Sequence, residues 1–272
     1  MSKKSCIIFG NCQGTGVNKF LEFSNFYEIY DVNIYANWEM IQNNDLIPIQ
    51  YLKNADLVIY QPLTDVHNCY STNKNNKESF FNILKDTCNT IAFPRIHNNA
   101  IFPIFKKRKN GNEIYGRVRN HINSFDEFMY LYDNNLIDYD FTNRMNENYE
   151  ISQKKEQDCE VKIIDFIMKN IHKEKLFLTQ DHPTSFVFNE VTKQICDILD
   201  LDYDYERGNS CDENILGLTD SVYSCEDKQY PISRYSIKYF GFEYIKTEHE
   251  DADIFYKNNT IEYLMNNYQP TH

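Results

Sequence analysis

No stretch of this chain approaches the roughly 20 consecutive apolar residues a membrane-spanning helix requires, and its mean hydropathy is −0.62. A membrane span is not expected. Paired cysteines are missing too. The eight present (Cys6, Cys12, Cys69, Cys88, Cys159, Cys196, Cys211 and Cys225) are scattered, with no Cys-x-x-Cys among them. Neither a disulfide framework nor a zinc knuckle is expected, and with no signal peptide ahead of Cys6 the expected compartment is the reducing cytoplasm. Positive charge is in short supply, with 28 Lys and Arg against 40 Asp and Glu and a net charge of −12. Binding to nucleic acid or anionic lipid depends on neutralising phosphates with Lys and Arg, so nucleic acid is not an expected partner. Metal-ligand spacing is also lacking. His249-Glu250-Asp251-Ala252-Asp253 neither places two ligands on one helical face nor fills a calcium loop, so no metal is expected.

What is there suits a folded α/β protein. The 272 residues, 42% of them apolar, are enough for one large domain, or one with an appended subdomain. Short apolar runs bounded by polar turns recur at 6–9, 28–35, 57–60, 90–93 and 176–179, with helical periodicity between several of them. That alternation predicts a parallel sheet flanked by helices. The pattern turns helical across 122–172, where Phe125, Phe128, Met129 and Tyr132 share one face, and predicts a helical insertion there. Val187, Val191, Ile195 and Leu199 recur every four residues, so 184–199 reads as the strongest helix, with these residues as core. We expect an α/β domain over 1–205 and, over 206–272, a tyrosine-rich, irregular extension packed on the same domain. That extension is placed to close over an acceptor or to form a subunit contact in a homo-oligomer.

The most informative stretch is Cys6-Ile7-Ile8-Phe9-Gly10-Asn11-Cys12-Gln13-Gly14-Thr15-Gly16, an apolar run that breaks into a glycine turn and then a helical pattern. The dinucleotide fingerprint needs a further glycine where Lys19 stands, and a Walker loop needs Gly-Lys-Ser/Thr where Gly16 is followed by Val17 and Asn18. Both readings fail. What remains is a strand, a turn and a helix with Cys12 at the apex, resembling in layout the nucleophile elbows of hydrolases. Unpaired N–H groups and the positive end of the helix dipole suit an anion or a thiolate there. The alternative is that Cys12 is a small packed residue.

Two further segments bear chemistry. Asp181-His182-Pro183-Thr184 lies between an apolar run and the strongest helix. His182 is therefore expected at a second strand-to-helix junction, where strand carboxyl ends share one edge with Cys12 and the helix dipole favours neutral imidazole. The alternative makes Asp181 or Thr184 a helix cap and His182 incidental. Phe93-Pro94-Arg95-Ile96-His97 opens a loop held by Pro94 and Pro103, of the kind that lines pockets at sheet edges. Soon after come Lys106-Lys107-Arg108-Lys109, then Arg117, Arg119 and His121. Local basicity in an acidic chain points to phosphate groups on a small ligand, with Arg117 and Arg119 the favoured pair and a solvated loop the alternative for 106–109.

Gly10-Asn11-Cys12-Gln13 after the first strand, Ala55-Asp56-Leu57-Val58-Ile59-Tyr60-Gln61-Pro62, the Phe93-Pro94 loop and His182-Pro183-Thr184 together resemble the WcbI family of polysaccharide-biosynthesis enzymes over about the first two hundred residues. The resemblance implies a coenzyme A-binding acetyltransferase acting on sugars, with a sheet layout like the SGNH esterases and the flavodoxin-like folds. In those esterases an aspartate typically stands three residues before the catalytic histidine; here that position is Thr179, and the acidic residue is the adjacent Asp181. The expected co-substrate is acetyl-CoA and the expected acceptor a nucleotide-linked amino sugar, such as a UDP-4-amino-deoxyhexose. Catalysis is assigned to Cys12, His182, Asp181 and His121, with His97 in reserve. Cofactor binding falls to Gly10, Asn11, Gln13, Gly14, Arg95, Arg117 and Arg119, with Asn11 or Gln13 also stabilising an oxyanion. O-acetyl transfer, ester hydrolysis or deacetylation, and a noncatalytic CoA-binding or sugar-nucleotide-binding module are the competing readings.

Overall fold

The computed structural model describes residues 2–102, 124–210 and 232–245. Its centre is β1 (Lys4–Gly10), paired in parallel with β2 (Tyr30–Ala36) on one side and β3 (Leu57–Tyr60) on the other. β4 (Asn89–Ala92) continues the sheet beyond β3, giving the order β2-β1-β3-β4. Ile8 sits opposite Ile34 in β2 and Ile59 in β3. The chain winds outward from β1 in both directions, so its topological switch point lies between the carboxyl ends of β1 and β3, where open α/β sheets bind ligands.

Successive side chains point to opposite faces of a strand. Cys6 and Ile8 join one core while Ile7 and Phe9 join the other, and all four are fully buried. This two-sided burial is why the strand reads as an unbroken apolar run. The smaller core sets Ile7, Phe9 and Val58 against Met40 of α3 (Asn37–Asn43), Leu52 of α4 (Ile49–Asn54) and the 3-10 turn at Phe80–Ile83. The larger core holds α1 (Cys12–Phe20), α2 (Phe26–Ile29), α5 (Phe125–Asp133), α6 (Phe141–Glu156), α7 (Ile164–Asn170) and α8 (Ser185–Ile198). Val187, Val191 and Ile195 of α8 are fully buried there, as their periodicity predicts. Gly16 lets α1 and α8 meet closely: a Cβ at that position would fall 2.5 Å from the Phe188 ring.

The helical pattern of 122–172 corresponds to α5, α6 and α7 in its described part. Beyond 205 come α9 (Tyr205–Asn209) and α10 (Arg234–Phe240). Tyr235, Phe240 and Phe242 bury in the larger core, and the Arg234 guanidinium lies over the Tyr132 ring, 4.5 Å from its centroid.

One predicted strand departs from the parallel sheet. Residues 176–179 supply β5 (Phe177–Thr179), which turns back through Gln180 and Asp181 to pair antiparallel with β6 (His182–Pro183). The physical reason is visible at β4, whose outer edge is already engaged. The Ala92 N–H donates to Glu160 Oε2 at 2.6 Å, and the Val161 N–H donates to the Ala92 carbonyl at 3.2 Å. The segment after α6 therefore satisfies the groups a fifth parallel strand would have needed.

Candidate active site

The carboxyl end of the sheet gathers four chain segments around one side chain. After β1, Asn11 caps α1, its Oδ1 accepting from the Gln13 N–H at 2.9 Å. After β3, Gln61 is buried, and its Oε1 accepts the Asn11 N–H at 2.9 Å. A Cβ on Gly10 would lie 3.3 Å from that oxygen and 3.4 Å from the Phe93 ring, so a side chain there would crowd the crossing.

Gln13 is fully buried and ties these segments together. Its Nε2 donates to the Ile96 carbonyl at 2.6 Å and the Asp181 carbonyl at 2.8 Å. Its Oε1 accepts from the Ile96 N–H at 3.0 Å and Gln61 Nε2 at 2.9 Å. A primary amide has two donors and two acceptor sites, and all of them are engaged. The Gln13 side chain, expected at the oxyanion or the cofactor, is thus bonded to the loops around it. Asn11 fits the donor role better, because among the described residues its Nδ2 has no hydrogen-bond partner.

The chemistry gathers on Asp181, in the turn of the β5–β6 hairpin. Its Oδ1 receives Arg95 Nη2 at 2.7 Å and His97 Nδ1 at 2.8 Å, and its side chain is only 12% exposed. Burial alone would raise its pKa. The hydrogen bond and charge of His97, then those of Arg95, outweigh burial and hold the carboxyl well below the usual carboxylate range. An ionised carboxylate only accepts, so Nδ1 of His97 carries a proton in this pairing, and Asp181 leaves the second ring nitrogen, Nε2, unused. This is an Asp–His pair. The sequence expectation set Asp181 beside its neighbour His182; the structure gives the carboxylate to His97. His182 lies on β6 opposite Thr179. The loop after β4 runs alongside the hairpin turn, with the Asn98 N–H donating to the Gln180 carbonyl at 2.8 Å.

Cys12 occupies the first position of α1 and is half-buried. Burial, and secondarily the Asp181 charge, push its thiol up to about 11, against the opposing pull of Arg95 and the N–H groups of Cys12 and Gln13. A thiol raised in this way calls for a base to take its proton before it can react.

Sequence reasoning missed the role of α6. A narrow, solvent-open cleft runs between the 94–97 loop and this helix. Arg95 and His97 stand on one side, Ser152 and Glu156 on the other, and Ile163, Ile164 and Ile167 also line it. Lys155, on the same helix, senses the site. Loss of surrounding water, then the Arg95 charge, lowers its pKa, with Asp181 acting in the opposite direction. The available signal was the recurrence of Arg144, Asn148, Ser152 and Glu156 at four-residue spacing.

Of the other expected residues, Gly14 packs in α1 near Ile8. Arg117, Arg119, His121 and the 106–109 run lie outside the described residues, as does the 249–253 acidic turn. Among the described residues, no group of three or more His, Cys, Asp or Glu is arranged to hold a metal ion, and no helix is long and apolar enough to cross a membrane.

Comparison with known proteins sets this site in a family. A solved structure of WcbI, the native protein without a disulfide bond between CoA and one of its cysteines, superposes with a TM-score of 0.58 at 17% identity, covering 96% of each chain. At that identity the likeness is one of fold. No curated protein matches the sequence. The family model described as polysaccharide biosynthesis enzyme WcbI matches residues 5–203, well over half of the chain. The chain belongs to the WcbI family of polysaccharide biosynthesis enzymes.

Proposed function

We propose that this protein is an acetyl-CoA-dependent acyltransferase that acetylates an amino or hydroxyl group of a sugar, with a nucleotide-linked amino sugar as the leading acceptor. The observation that carries the reading is the His97–Asp181 pair held beside Cys12 at the carboxyl end of the sheet. Asp181 fixes the imidazole so that Nε2 serves as general base. Nε2 takes the proton from the acceptor nitrogen or oxygen as that atom attacks the thioester carbonyl carbon. The new C–N or C–O bond forms, the C–S bond breaks, and the imidazolium returns its proton to the departing CoA thiolate. Asn11 Nδ2 is our choice of donor to the transient oxyanion.

Direct transfer from the thioester to the acceptor is the first reading, with Cys12 lining the site. The covalent route remains a second reading: the same base would remove the thiol proton, as in other activated nucleophiles. The solved WcbI structure is of the native protein without a disulfide bond between CoA and one of its cysteines; that such a bond is named at all supports seating the sulfur end of CoA beside Cys12. Arg95, with Arg117 and Arg119, is our choice for the CoA phosphates. Residues 1–205 form the catalytic unit in this reading, in a cytoplasmic protein that meets acetyl-CoA directly.

Calorimetric titration with CoA and acetyl-CoA tests the proposal. Saturable one-site binding that weakens when Arg95 is replaced by Ala is the expected result. Hydrolysis of p-nitrophenyl acetate with no CoA binding would replace the transferase reading with an esterase. Turnover retained in Cys12→Ala would leave only direct transfer.

A further inference from the structure

α6 turns one face to the site and is held there. Arg144 Nη2 donates to the Asn99 carbonyl at 3.1 Å, and the Asn99 N–H donates to Asn148 Oδ1 at 3.4 Å, clamping the helix to the loop after β4. One turn further on, Ser152 and Glu156 line the cleft bordered by Arg95 and His97. Residues three and four apart are neighbours on a helix surface. Lys155 follows Ser152 by three residues and precedes Glu156, so it leaves α6 on the flank of this face. Loss of surrounding water, then the Arg95 charge, lowers its pKa against the pull of Asp181. Its amino group therefore lies within range of two charges of the site.

The lysines around the fold contrast with it. Lys85 pairs with Asp56, Lys193 pairs with Asp197, and Lys162 Nζ donates to the carbonyls of Glu156 and Gln157. Among the described residues, Lys155 Nζ takes part in no hydrogen bond or ion pair, and the residue is open to solvent. An ordinary lysine is almost wholly ammonium at neutral pH. One short of water beside another cation holds a larger share of uncharged, nucleophilic amine.

We propose that Lys155 is a modification site, at which the protein acetylates itself from bound acetyl-CoA. The proposal rests on the transferase reading above, which seats the thioester beside Cys12 and His97, and adds an acceptor within the chain. The lone pair of the uncharged amine attacks the thioester carbonyl carbon. A C–N bond forms as the C–S bond breaks, and the proton shed by the nitrogen ends on the CoA thiol. Amine and thioester held in one complex meet at a raised effective concentration. The product is an uncharged amide, so the step removes a positive charge from beside Arg95.

Incubation of the full-length protein with trideuteroacetyl-CoA, followed by peptide mass spectrometry, tests this, with acetyl-CoA binding measured by calorimetry on the same preparation. Lys154 is the internal control. It stands two residues from both Ser152 and Glu156 and so leaves the opposite side of the helix. Label is expected at Lys155 at least about tenfold faster than at Lys154, and excess CoA should remove the difference. Lys155→Arg should lose the fast phase of incorporation while still binding acetyl-CoA. Equal labelling of the two lysines, labelling of Lys155 that excess CoA leaves undiminished, or an unlabelled Lys155 in protein that binds acetyl-CoA overturns the inference and leaves the transferase reading intact. Failure to bind acetyl-CoA overturns the transferase reading and this inference with it.

Discussion

The two ends of the sheet each carry a paired aspartate, and the contrast between them separates structure from chemistry. At the amino end, Asp56 Oδ2 accepts the Ser5 N–H at 2.8 Å and Oδ1 pairs with Lys85 Nζ at 2.6 Å. Its own backbone bonds to Ser5 on one side and Asn89 on the other, so it knits β1, β3 and β4 together where they begin. Both members of the ion pair are about a third exposed, 34% for Asp56 and 35% for Lys85, and an ion pair at such a position contributes little. At the carboxyl end, Asp181 is 12% exposed, and its partners are a guanidinium and an imidazole with further valences toward a cleft. Identical carboxylates thus do different work according to partner and solvent. One closes a strand register; the other orients a titratable ring.

Breaking the carboxyl-end pair should have the largest effect. Asp181→Ala removes the group that orients His97 and the carboxylate partner of the half-exposed Arg95. Turnover in an acetyl-CoA assay is expected to fall about 10²–10⁴-fold, with a stability loss of about 3 kcal/mol in urea titration. His97→Gln should show a similar drop in kcat with a much smaller shift in the urea midpoint. A variant at wild-type rate would remove His97 from the mechanism.

The next effect is structural. Gln13→Ala takes away every bond of the central amide and leaves the Ile96 N–H buried without its acceptor. We expect a loss of about 2–4 kcal/mol, read as a lower urea midpoint at unchanged slope. A change below about 0.5 kcal/mol would mean the loops hold their positions without it.

Acid titration sharpens the comparison further. The pKa of Asp181 is lowered in the folded state, so its contribution to stability is fully present above the ordinary carboxylate value near 3.9 and is lost as pH falls below that value, through the folded one. Stability should therefore decline on acidification below about pH 4, and Asp181→Asn should flatten that decline. Asp56, also lowered, by Lys85 first and then by the Ser5 N–H, has the same sign but a smaller weight. Asp56→Asn should cost under about 1 kcal/mol at neutral pH, and less still in high salt. Equal flattening of the acid limb by both variants would erase the distinction drawn between the two ends.

Much of this was legible in the residues. The runs that became β1 through β4 were bounded by polar turns, and α8 was announced by its four-residue repeat. Cys12 was placed at its strand-to-helix apex by glycine spacing alone. Periodicity could not separate β5 from a fifth parallel strand, because three apolar residues look alike in a hairpin and in a sheet, and the deciding fact was that Glu160 and Val161 already met the edge of β4. The partner of Asp181 was hidden for a related reason. His182 is its neighbour in the chain, but His97 comes to it from 84 residues away, and only the register of two loops makes that contact. The polar stripe of α6 was open to view in the sequence, yet without the loop it clamps nothing marked it as buried.

Gln13 has one consequence beyond stability. A single amide sets the relative position of the segments after β1, β3 and β4 and of the hairpin turn, so these walls share one geometry and none can be remodelled alone. α6 meets the site from outside that bonding set. The segments that carry Cys12, His97 and Asp181 are tied at one buried point, and a displacement of that amide is felt by all three at once.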